Sequence, residues 1–155
     1  MSDMLEPHRL KFERRPSPVL AEHRPLYKIG QLLLVFLIAS TQNKSSLARL
    51  QLFNWAMKSS DRRSLLIKAA NNRKLAVTAW GFDPTLAVAL RIGISEELII
   101  ENSTGYELAG NGRAFIEEIM LDDESFTQER EFLSAVGRKI SEKMVEETAK
   151  GWDAR

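Results

Sequence analysis

Carboxylates stand in adjacent pairs at Glu96-Glu97, Glu117-Glu118 and Asp122-Asp123, the residue types that general acid and base chemistry requires. Neighbouring residues on a helix do not face one another, so these pairs read as solvated charge rather than as a catalytic dyad. Gly110-Asn111-Gly112 has the glycines of a phosphate-cradling loop but lacks its strand, spacing and lysine, and reads as the point where a hairpin turns into a helix. There is no cysteine, which excludes disulfides and thiolate metal sites, and the two histidines, His8 and His23, both fall in the N-terminal segment. No nucleophile sits with a base. The expectation is a protein that is not an enzyme, with no catalytic, cofactor-binding or metal-binding residues and no small-molecule substrate.

Cations suggest a different chemistry. The net charge of +1 conceals an asymmetry: Met1 to Leu75 holds 14 Lys and Arg against five Asp and Glu, a balance of +9. Ala76 to Arg155 holds eight against 16, a balance of −8. A chain so polarised can present oppositely charged faces to two partners, or simply two solvated faces. The basic residues lie in the N-terminal segment (Arg9, Lys11, Arg14, Arg15, Arg24) and around the second and third expected helices, where Lys58 and Lys68 accompany six candidates for contact with a nucleic-acid backbone. Those six are Lys44, Arg49, Arg62, Arg63, Arg73 and Lys74, with a solvated face or an acidic protein partner as the competing readings.

These residues need elements to position them. At 155 residues, 44% apolar and 28% charged, the chain can bury one core, expected over residues 25–121. Residues 1–24 carry Pro7, Pro16 and Pro18 among charges and read as an extended arm. Within it Arg14, Arg15, Pro16 and Pro18 favour polyproline geometry suited to lying along a partner, a plain disordered tail being the alternative. The longest apolar run, Leu32 to Ala39, falls far short of the roughly 20 residues a membrane span needs. The N-terminus has charge and prolines where a signal peptide needs an apolar stretch, so a cytoplasmic protein is expected.

From Pro25, apolar residues cover every face of a first helix, which must therefore be buried nearly all round. Thr41 to Ser46 reads as a turn with Ser45 or Ser46 capping a second helix to about Lys58, and a third, with Ser59, Ser60 or Asp61 as its cap, runs to about Asn71. Leu75 to Trp80 is short and flanked by turn formers, so a strand is expected, with Trp55 and Trp80 in the core. Asp83 caps a helix opened by Pro84. Leu98 to Glu101 and Tyr106 to Leu108 then form a hairpin, and Asn111 starts another helix.

A last helix is expected over residues 125–150, from about Thr127, with Phe132, Val136, Ile140 and Met144 spaced by four along one stripe. This stripe requires an apolar cover, supplied by its own domain or by another chain, which makes its four residues partner-binding candidates. Trp152, beyond the stripe, is either a partner anchor or a local cap.

The order of helix, hairpin and helix from Phe82 to Met120 is that of a winged helix-turn-helix domain, giving a mainly α fold with a small β-hairpin, an N-terminal arm and a C-terminal helix. The helix that would enter a groove, Pro84 to Ile92, offers only Thr85 and Arg91, and the wing from Glu96 to Glu107 carries four glutamates and no cation. Such a surface repels phosphate.

From Pro25 to about Ile119, roughly three-fifths of the chain, the sequence resembles the middle component of the ABC-three-component systems, small winged-helix subunits of bacterial antiphage defence modules such as Lamassu. The pieces that carry the resemblance are RPLYKIGQLLLVFLIAS, LARLQLFNWAMKSSDRRSLL, Phe82-Asp83 before a helix, and YELAGNGRAFIEEI after a wing. The resemblance implies a noncatalytic adaptor bridging an SMC-like ABC ATPase and an effector, often a nuclease; nucleic acid, met non-specifically through the complex, is the further partner that the basic residues allow. It brings no catalytic residues, and the arm and final helix lie outside it. A winged-helix transcriptional regulator is the competing function.

Overall fold

The computed structural model describes residues 24–77 and 80–153. Among them are α1 (Pro25–Ala39), β1 (Lys44–Ser45), α2 (Leu47–Ala56), α3 (Ser60–Asn72), α4 (Pro84–Ser95), β2 (Ile99–Asn102), β3 (Gly105–Leu108), α5 (Gly110–Met120), α6 (Thr127–Val136) and α7 (Glu142–Asp153). The architecture is mainly helical with one three-stranded antiparallel sheet ordered β1-β3-β2. The arm, with Arg14, Arg15, Pro16 and Pro18, lies outside the described residues.

The all-round apolarity of α1 has the consequence the sequence demands. Every residue from Lys28 to Phe36 is buried, with α4, α5, α6 and α2 packed around the helix. Two of these residues are polar, and burial obliges each to find a partner. Lys28 Nζ donates to Asn54 Oδ1 at 2.6 Å. Gln31 Nε2 donates to Glu129 Oε2 at 2.9 Å, and the same carboxylate accepts from the Tyr27 hydroxyl.

Start signals written in the sequence operate as local chemistry predicts. Ser46 Oγ accepts from Arg49 N and Ser59 Oγ from Arg62 N, each at 3.2 Å, capping α2 and α3. Asp83 accepts from Thr85 N at 3.0 Å ahead of Pro84. The hairpin pairs Ile99 with Leu108 and Asn102 with Gly105. Its return into α5 is close enough that a Cβ on Gly112 would sit 2.1 Å from the Leu98 carbonyl oxygen.

Three expectations are corrected. Residues 44–45, expected as part of a turn, form β1, with Lys44 opposite Glu107 and Ser45 opposite Tyr106. Leu75 to Val77 and Trp80 are not strand, and residues 78–79 lie outside the described part; Val77 and Trp80 are nevertheless buried. The single helix expected over 125–150 is two, because Gly137 adopts φ +58°, ψ −143°, a conformation that L side chains rarely reach, and Ser141 starts afresh by accepting from Met144 N at 3.1 Å. The stripe survives this break. Phe132, Val136 and Ile140 are buried in the common core and Met144 packs partly against it.

Candidate functional site

Exposed cations are what a phosphate backbone requires, and the structure divides the six candidates. Arg49 is buried, 3% exposed, so it cannot serve. Its guanidinium donates to the Ile140 carbonyl at 2.7 Å, to Ser40 Oγ at 2.8 Å and to the Ala39 carbonyl, and lies 4.8 Å from the centre of the Phe53 ring. Burial lowers its pKa to about 10, with the charge of Glu142 acting the other way, so it stays protonated at neutral pH. Arg49 is thus a clamp joining the end of α1, α2 and the start of the α7 segment.

Arg62 and Arg63 are half-buried and partly engaged. Arg62 stacks 4.8 Å from the Trp55 ring and donates to the Trp55 carbonyl at 3.3 Å, while Arg63 donates to the Met57 carbonyl at 3.0 Å. Lys44, Arg73 and Lys74 are exposed. Lys58 is committed to Asp83 at 2.9 Å.

That ion pair belongs to a chain of contacts that sequence reasoning missed. Lys28 reaches Asn54, Asn54 Nδ2 donates to Asp83 Oδ2 at 2.9 Å, and Asp83 caps α4. Burial by itself raises the Asp83 pKa, but hydrogen bonds from Asn54, Lys58 and Thr85, with the Lys58 charge, outweigh it and hold the carboxyl well below the usual range. A lysine in the first turn of a helix that is apolar on every face was the available signal, since its burial requires a partner.

The helix before the hairpin is as poor in charge as its sequence indicates. On α4, Leu86, Ala89 and Leu90 face the core, Thr85 is half-buried, and Arg91 is exposed. Beyond it, Glu96, Glu97 and Glu101 are exposed and Glu107 half-buried. Burial raises the Tyr106 hydroxyl pKa, helped by the adjacent Glu101 carboxylate. β2 is one of the two edge strands of the sheet, and its Ile100 is 46% exposed beside an open depression of about 690 Å³ whose lining includes Ile94, Glu97, Ile100 and Glu101. Glu117, Glu118, Asp122 and Asp123 are exposed; Glu117 pairs with Arg113 at 3.3 Å and Asp122 Oδ2 accepts from Ser125 Oγ at 2.9 Å.

Of the partner-binding candidates, Phe132, Val136 and Ile140 obtain their apolar cover from their own chain, which removes them from the surface. Met144 is half-buried, and the Trp152 side chain lies outside the described part. Apolar surface stands instead at Phe82, 68% exposed, and Leu121, 83% exposed. Neither carried a periodic signal, since both lie in connections. Among the described residues no group of His, Asp and Glu could hold a metal ion, and no helix is long and apolar enough to cross a membrane. Comparison with known protein families, curated proteins and solved structures found no match for this chain.

Proposed function

We propose that this protein is a noncatalytic adaptor that docks onto other proteins, of the kind the middle component of an ABC-three-component defence system provides, working in the cytoplasm between an SMC-like ABC ATPase and an effector such as a nuclease. One observation carries the reading. The surface formed by α4 and the hairpin opposes a single exposed cation, Arg91, to exposed Glu96, Glu97 and Glu101, with Ile100 standing free on the edge strand β2. A duplex would meet repulsion there, whereas a protein bringing cations and an apolar contact would find both complements. The chemistry belongs to the partners in this account.

A winged helix-turn-helix is the finer fold reading that accompanies the proposal. It draws support from the strand order β1-β3-β2 and from α4 standing directly before the hairpin, where this reading has its groove helix. The 11 residues between α3 and α4 are a departure from the short turn of the simplest version of that fold.

The test is co-expression of the tagged chain with the proteins encoded beside it. Retention of the ATPase and effector through purification is expected, and the pair of changes Ile100→Lys and Glu101→Lys should reduce retention at least tenfold while leaving the melting midpoint of the lone chain in place. Equal retention by the altered chain would remove the hairpin from the interface, and no retention by the native chain would count against the adaptor.

A further inference from the structure

Lys139 Nζ donates to Asn71 Oδ1 at 3.4 Å, a contact spanning 68 positions that brings the α6–α7 connection against the last turn of α3. It brings the connection carrying Arg138 and Lys139 to the end of α3 that carries Lys68, Arg73 and Lys74, so that two distant segments contribute five exposed cations to one region of the surface. None of the five has an ion-pair partner among the described residues. On α3 itself the sole carboxylate, Asp61, lies at the opposite end of the helix.

Two further features belong to this patch. Arg73 ends α3 in the left-handed region, φ +57°, where glycine or asparagine is the usual occupant, and its exposed side chain adds nothing to the core. Asn71 and Asn72 are exposed beside it, offering amide donors between the charges.

We infer that the patch of Lys68, Arg73, Lys74, Arg138 and Lys139 binds the phosphate backbone of a nucleic-acid duplex without regard to sequence. Protein interfaces concentrate their affinity in buried aromatic or apolar anchors. The five cations and two amides supply no such anchor, whereas dispersed cations with amide donors are what phosphate contact uses. The inference stands apart from the adaptor reading, because it concerns the opposite charge on different elements.

The experiment uses the full chain and a fluorescein-labelled duplex of about 20 base pairs in two unrelated sequences, read by anisotropy over a salt series. Both sequences should bind alike, with affinity falling on the order of a hundredfold between 50 and 200 mM salt if about four phosphates are engaged. Lys68→Gln, Arg73→Gln and Lys139→Gln together should weaken binding at least tenfold and lower the salt slope by about 2 to 3. Arg91→Gln, on α4, should change neither. Circular dichroism and the melting midpoint of each variant establish that it is folded. Binding undiminished in the triple variant, binding lost with Arg91, or displacement of the duplex by a glutamate-rich peptide as readily as by unlabelled duplex would each overturn the inference.

Discussion

Truncating Arg49 would leave the Ile140 and Ala39 carbonyls and Ser40 Oγ without the donor each now has inside the core. An unpaired buried acceptor costs about 1–3 kcal/mol, so Arg49→Ala should destabilise the fold by about 3 kcal/mol or more, measured as a lower urea midpoint. A midpoint equal to the native one would show that the guanidinium holds nothing together. Asp83 makes a prediction of opposite kind. Its carboxyl pKa is depressed in the folded state, so its contribution is complete above the unfolded value of about 3.9 and is lost as pH falls below that value toward the folded one. Asp83→Asn keeps an acceptor at the α4 cap and removes the titration. The variant should be less stable at pH 7 and should lose less further stability between pH 4 and pH 2; denaturation midpoints across that window check it, and parallel acid limbs would refute it. Residue by residue, the sequence disclosed caps well, because Ser46, Ser59 and Asp83 act on backbone groups two or three positions away. It misplaced Arg49 because nothing local distinguishes a cation that faces solvent from one that meets the carbonyls of two other segments.

Among the elements, α1, α4 and the hairpin were legible from periodicity and start signals, since their apolar patterns decide both the type of element and the face it buries. β1 was not, because two residues become a strand only by pairing with β3 some sixty positions later. The break between α6 and α7 was hidden by the unbroken spacing of Phe132, Val136, Ile140 and Met144, although Gly137 and Ser141 carried the stop and start. Gly137 therefore supports a prediction. A Cβ there would meet nothing closer than the Ser134 carbonyl oxygen at 4.0 Å, so the cost of Gly137→Ala is purely that of the backbone conformation, about 1–3 kcal/mol by thermal or chemical denaturation. No loss of stability would mean that the two helices can run on as one.

For the molecule as a whole, the opposed balances of +9 and −8 acquire locations. Four of the 16 second-half carboxylates stand between Glu96 and Glu107, beyond α4, and most of the others on α5, α6, α7 and their connections. Three first-half cations, Lys68, Arg73 and Lys74, stand at the end of α3 that meets the α6–α7 connection. The fold is held by α1, whose burial on every side leaves its surface neighbours to carry the charge. A body with an acidic edge that bears Ile100, and exposed apolar residues at Phe82 and Leu121, is suited to being gripped by other chains. That is the central claim, and native mass spectrometry of the tagged chain drawn from its own host at moderate salt tests it most directly. The account predicts a defined assembly whose mass includes an ABC ATPase and an effector together with this chain. A single species at the 17.6 kDa of the lone polypeptide, or a simple multiple of it, would contradict the account.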